Sequence, residues 1–193
     1  MKLNSKELRV SEPKESELAQ IKRRPLWIIL DNVLDTYNIG GIFRLADAVA
    51  ASEVILCKGS ETPPSSRIHK SAVGTEKWVP WQHFDSAQVA ITNLKSQITN
   101  LKVVAVEQDK RAVSLNTPSF PPLNTKNQKD SSLLTSFVVR EGTPMAIIVG
   151  HETDGVSKEA LDLADMIVEI PMWGVNKSLN VIVSAAIVVY GLM

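Results

Sequence analysis

Asn38-Ile39-Gly40-Gly41-Ile42-Phe43-Arg44 sets a cation among Ile, Leu and Ala. The planar guanidinium fork suits a phosphate, so Arg44 is a candidate anion clamp; a solvated surface arginine is the plain alternative. Gly40-Gly41 could form a phosphate-binding turn, but the full Gly-x-Gly-x-x-Gly spacing is missing, which argues against a dinucleotide site. A second segment, Val149-Gly150-His151-Glu152-Thr153-Asp154-Gly155-Val156, ends an apolar run and presents an imidazole beside a carboxylate. Such a pair can bind metal, yet His69, His83, His151 and the lone Cys57 are too sparse for a zinc site. A loop histidine and a helix-capping acid are the plain readings. The third segment is Ile170-Pro171-Met172-Trp173-Gly174-Val175-Asn176-Lys177-Ser178-Leu179-Asn180. A glycine-containing loop that opens a helix can wrap a small polar ligand with backbone groups while Ser178 and Asn180 point at it. Ser178 also suits the cap of that helix. Asn180, expected inside the first turn, suits that role less well.

These segments need a scaffold. Residues 26–30, 54–57, 78–81, 101–106, 144–150 and 167–170 read as short buried strands. Residues 39–51, 87–99 and 158–164 carry helical patterns, and a last helix starts at 179. Residues 58–77 read as a long polar loop, and 133–139 as a short strand or helical turn. Strands alternating with helices predict an α/β fold: a parallel sheet with helices on both faces. Each of the three segments then leaves the carboxyl end of a strand, where ligands of such sheets gather. The stretch about 114–143 is rich in Asn, Ser, Thr, Pro and Lys and reads as an exposed insertion.

The chain has 193 residues, so one domain is the default. Residues 1–24 form a polar arm or short helix, and 25–193 the domain. A single cysteine excludes an internal disulfide and fits a reducing cytosol, so a cytoplasmic location is expected. The start of the chain lacks the apolar run of a signal peptide. The apolar tail, too short to span a bilayer, must be buried in the protein or against a second subunit. Net charge is zero, but Arg23 and Arg24, and Arg67, Lys70 and Lys77 with His69, form basic clusters, while acids dominate from Glu141 onward. That distribution suits a polyanion docking on one face.

The three segments, in this order, resemble the three motifs of the SpoU/TrmH family of RNA 2′-O-ribose methyltransferases, within the SPOUT superfamily. Ser71-Ala72-Val73-Gly74-Thr75-Glu76-Lys77-Trp78-Val79 is similar to the family segment that precedes a strand. The resemblance covers residues 26–193. It implies a deep C-terminal trefoil knot, S-adenosylmethionine as cofactor, no metal, and a homodimer packed through the last helix. By position, Arg44 matches the arginine near the reacting ribose hydroxyl, and Asn38 the residue that holds its loop. Glu152, Ser178 and Asn180 fall on the remaining polar positions, with Glu152 expected to position the arginine or the dimer contact. Val106, Gly150, Ile170, Met172, Ser178 and Leu179 fall where the cofactor is held through backbone groups. Arg23, Arg24, Arg67, Lys70 and Lys77 become RNA-binding candidates. The second motif reads Gly150-His151-Glu152 where the family pattern is Gly-Asn-Glu. The implied activity is methylation of a ribose in tRNA, a D-loop guanosine first, with rRNA as alternative. A non-catalytic RNA-binding member, or an unrelated α/β nucleotide-binding enzyme, are the competing readings.

Overall fold

The structure, a computed structural model, describes residues 13–115 and 142–192. The expected element at 133–139, most of the insertion and the first half of the arm lie outside the described residues. Within them the chain runs α1 (Glu15–Leu18), β1 (Arg24–Asp31), α2 (Thr36–Ala48), β2 (Ala51–Cys57), α3 (Ser66–Ala72), β3 (Trp81–Phe84), α4 (Ala87–Gln97), β4 (Lys102–Val106), β5 (Val113–Ser114), β6 (Met145–Gly150), α5 (Lys158–Leu163), β7 (Met166–Glu169) and α6 (Val181–Leu192). The strands form one parallel sheet of order β3-β2-β1-β6-β4-β7-β5.

Alternation along each strand builds two cores. Ile28, Leu30, Val54, Leu56, Val104, Ile147 and Val149 point to the face covered by α2, α3 and α6. Ile29, Ile55, Val103, Ala105, Ala146 and Ile148 point to the face covered by α4 and α5. Both faces are therefore buried, which is why the strands read as continuous apolar runs. Cys57 ends β2 inside the second core; burial, helped by the charge of Asp31, pushes its thiol up to about 12, so it is inert.

Two expectations need correction. The stretch 58–77 is not all loop: Ser65 caps α3, its Oγ accepting from Ile68 N at 3.4 Å, and a 3-10 turn follows at Thr75–Lys77. Only Ile68 and Ala72 of α3 are buried, too few to give a periodic signal. The strand expected at 78–81 starts at Trp81 instead. Trp78 is pinned outside the sheet, its Nε1 donating to Asp47 Oδ1 at 2.7 Å, and Pro80 has no N–H for a ladder.

The apolar tail is half covered. Ala185, Val188, Val189 and Leu192 of α6 pack into the first core, while Val183, Ile187 and Tyr190, spaced i, i+4, i+7, stand exposed. Among the described residues no helix is long and apolar enough to cross a membrane.

Candidate active site

Asp31, Gly150, Val106 and Glu169 end four adjacent strands on one edge of the sheet. The loops leaving that edge bound a cleft of about 580 Å³. Val106, Gly150, Ile170, Met172, Ser178 and Leu179, the six expected cofactor residues, all line it, as do Asn38, Glu152 and Asn180.

The polar positions of the three motifs meet in one hydrogen-bonded chain. Asn180 Nδ2 donates to Asn38 Oδ1 at 2.9 Å, and Asn38 Nδ2 donates to Glu152 Oε1 at 2.9 Å. Glu152 also accepts from the backbone N–H of Leu34 at 3.2 Å and of Asp35 at 3.1 Å. Burial alone would raise this carboxyl. The bonds from Asn38 and the backbone outweigh it and hold Glu152 below the usual carboxylate range. Glu152 therefore fastens the β1–α2 loop, and among the described residues it makes no hydrogen bond or ion pair to an arginine.

Helix caps complete the frame. Asp35 caps α2, its Oδ1 accepting from Tyr37 N at 2.8 Å. Asn180, not Ser178, caps α6: its Oδ1 accepts from Ile182 N at 2.9 Å. The helix starts two residues later than its composition suggests, which reverses the two roles. Ser178 instead closes a turn, its N and Oγ lying 3.0 and 3.1 Å from Asn176 Oδ1.

Close approaches set the glycines. A Cβ on Gly40 would lie 2.6 Å from Ile68 O and 2.8 Å from Ala72 N, so Gly40 lets α3 pack against α2. That packing, rather than a phosphate turn, accounts for it. A Cβ on Gly150 would sit 2.1 Å from the Gly155 carbonyl carbon. The loop from His151 to Gly155 folds back on the strand end, with His151 N to Gly155 O at 3.0 Å and Gly155 N to His151 O at 2.9 Å.

Three supports escape the motif reading. Glu107 Oε2 accepts from Val156 N at 2.8 Å, and buried Asp31 accepts from Ser157 N at 2.8 Å. Gln108 Nε2 donates to Lys177 O, tying the end of β4 to the third loop. For Asp31 and Glu107 the available signal was a carboxylate at the end of an apolar strand run.

Arg44 stands apart. It is exposed on α2, does not line the cleft, and makes no hydrogen bond or ion pair among the described residues. With Tyr37 it forms a stripe beside α6, which approaches α2 where Ile182 meets Gly41.

The basic candidates divide. Arg67 and Lys70 are exposed on α3, next to the α2 start, where Ser71 Oγ reaches Thr36 O at 3.3 Å. Lys77 is exposed on the following turn. Arg24 is exposed at the start of β1, the sheet edge opposite the cleft. Arg23 is committed to the fold, its guanidinium donating to Ala51 O at 2.9 Å and Trp78 O at 2.7 Å. Burial lowers its pKa against the pull of Asp47. Two backbone partners leave that fork little to offer a polyanion.

Comparison with known proteins fits this geometry. The model of the SpoU rRNA Methylase family matches residues 25–190. The chain belongs to that family. Among SpoU relatives, it is 29% identical over 174 residues to the 23S rRNA (guanosine-2′-O-)-methyltransferase RlmB of Neisseria meningitidis, covering 90% of this chain and 60% of that protein. It is 28% identical over 173 residues to the tRNA (guanosine(18)-2′-O)-methyltransferase of Escherichia coli, covering 88% and 63%. The chain thus spans about 60% of the length of the curated SpoU relatives it matches. The TrmH/SpoU tRNA modifying enzyme of A. aeolicus shares the fold, with a TM-score of 0.69 and 24% identity over 97% of this chain and 80% of that one.

Proposed function

We propose that this protein transfers a methyl group from S-adenosylmethionine to a ribose 2′-hydroxyl of RNA, with guanosine as the nucleoside. The carrying observation is the Asn180–Asn38–Glu152 chain, which draws the three motif loops around a single cleft. The cleft suits the cofactor. Its volume falls in the range of small-ligand sites. Val106, Ile170, Met172 and Leu179 offer an apolar bed for an adenine ring. Glu107, Asp154 and Glu169 surround the cleft with negative charge, which suits a ligand carrying sulfonium and ammonium groups.

When bound, the cofactor supplies a methyl group on positively charged sulfur. The residues of this chain supply positioning. The hydrogen-bonded motif loops fix the cleft before any ligand arrives, so little reorganisation remains for the reacting complex. A guanidinium has donors and no acceptor, so Arg44 is a poor lone base. It clamps the phosphate beside the target ribose and orients the hydroxyl, whose proton passes to that phosphate. Ser178, in the turn of the third loop, offers a hydroxyl at the cleft wall.

The same reading includes a homodimer packed through α6. The stripe of Val183, Ile187 and Tyr190 is left uncovered by the described residues and adjoins the stripe that carries Arg44. A second copy on this face would bury the apolar side chains and give Arg44 a cleft to act on. A C-terminal trefoil knot fits the path of the chain: α6 returns from β7 across β4 and β6 to α2, while Gln108, past β4, grips the third loop. Residues 25–193 are read as the methyltransferase domain and 1–24 as an arm. Arg67, Lys70 and Lys77 form the RNA-facing basic cluster, with Arg24 more distant. A cytoplasmic site of action fits the single buried thiol.

The test is incubation with methyl-labelled S-adenosylmethionine and separate tRNA and 23S rRNA, followed by mass spectrometry of digested RNA. A 2′-O-methylguanosine product is expected, the tRNA D-loop position being tested first. Cofactor binding without label on either RNA would overturn the catalytic reading.

A further inference from the structure

His151 stands in the cleft wall. Its Nδ1 accepts from the backbone N–H of Thr153 and of Asp154, both at 3.1 Å. Asn and Asp side chains make this kind of local acceptor contact, mimicking a backbone turn. Two N–H donors aimed at one ring nitrogen leave no room for a proton there. The ring is therefore neutral, with its hydrogen on Nε2. The side chain is only 18% exposed, so water cannot readily replace it as the acceptor for both amides.

We propose that His151 is a positioning residue that holds the 150–156 loop in its cofactor-competent shape only while its imidazole is neutral. This inference rests on the methyltransferase reading of the cleft. Protonation would place a hydrogen on Nδ1 and turn an acceptor of two bonds into a donor. Thr153 N and Asp154 N would lose their partner, and the ring would turn to the Asp154 carboxylate, whose Oδ2 lies 3.4 Å away. Asp154 is 80% exposed, so that ion pair is screened and does not restore the loop. Gly150 and Gly155, whose backbones touch, would separate, and the cleft wall with them. Other charged groups border the same cleft: Glu152 from the second motif, Asp35 from the cap of α2, Glu107 from the end of β4, Glu169 from β7 and Lys177 from the third loop. A variant that changes only His151 keeps them all and isolates its share.

The experiment measures S-adenosylmethionine affinity by calorimetry between about pH 5.5 and 8, the range in which histidine ordinarily changes charge. Wild type, His151→Asn and His151→Ala are compared. Wild-type affinity is expected to fall about tenfold from the high to the low end, the scale of losing the acceptor for two backbone donors. His151→Asn accepts both donors and does not titrate, so its affinity should vary less than about threefold across the range. His151→Ala should bind weakly at every pH. A flat wild-type profile, or a slope shared by His151→Asn, overturns the proposal. Imidazole nitrogen NMR of the free protein gives a second readout. An Nε2–H tautomer is expected near pH 8, and an Nδ1–H tautomer overturns the proposal whether or not cofactor binds. Absence of cofactor binding by every variant sinks the methyltransferase reading instead.

Discussion

The cleft wall and the outer face of α2 and α6 use the same kinds of residue in opposite ways. In the cleft wall, Asn38, Glu152, Asn180 and His151 are committed to one another or to backbone amides. On the outer face, Arg44 and the stripe of Val183, Ile187 and Tyr190 stand exposed among the described residues. The difference separates two jobs. Groups that satisfy each other fix a shape; groups left without partners are available to something that arrives later. A mutation in the wall should thus cost stability along with function, and one on the outer face should cost function alone.

The sharpest contrast is Arg44→Ala. Methyl transfer should fall by about 10²-fold or more, the scale of removing one preorganised charged contact. Unfolding should stay within about 0.5 kcal/mol of wild type, as for exposed sites. A matching loss of melting temperature would erase the separation between the two regions. Gly150→Ala tests the wall from the other side. Its Cβ would meet the backbone of residue 155, which no side chain motion can relieve. A destabilisation of about 2–3 kcal/mol, with loss of cofactor binding, is expected by thermal unfolding and calorimetry. Asn180→Ala removes the α6 cap and the link to Asn38, and should cost about 1 kcal/mol. Asn180→Asp keeps the capping oxygen but loses the donor to Asn38, so it should retain most of the stability while weakening cofactor binding.

The smallest effect is in pH. The Glu152 carboxyl is held below its ordinary value in the folded chain. Its contribution is complete above the unfolded carboxyl pKa of about 4.3 and is lost as pH falls through the lower folded value. The stability gap between wild type and Glu152→Gln should be constant from about pH 7 to 5 and close below about pH 4, read as melting temperature against pH. A gap that widens on acidification would contradict the hydrogen-bonding account.

Much of this was legible in the chain. The buried strands announced themselves as apolar runs, and the ordered motifs named the family and six residues that line the cleft. What the chain hid has a common cause. Helix α3 buries two residues and shows no period. Ser178 looked like the cap because composition alone starts the last helix too early. Arg23 read as one more basic residue, although its guanidinium fork ties the start of β2 to Trp78.

The sequence determined what depends on neighbours in the chain: alternation on a two-sided sheet, turns at strand ends, and which residue types stand beside one another in each motif. Only the tertiary structure decided what those residues do. Asn38 and Glu152 lie 114 positions apart, and Asn180 and Asn38 lie 142 apart, so no local pattern can show that they share protons. The same holds for Arg44, whose isolation from the cleft follows from the packing of α2 against α6. A side chain's type is written in the chain, but its partner is set by which strand ends the sheet brings to one edge, and partner more than type separates a scaffold residue from one free to act.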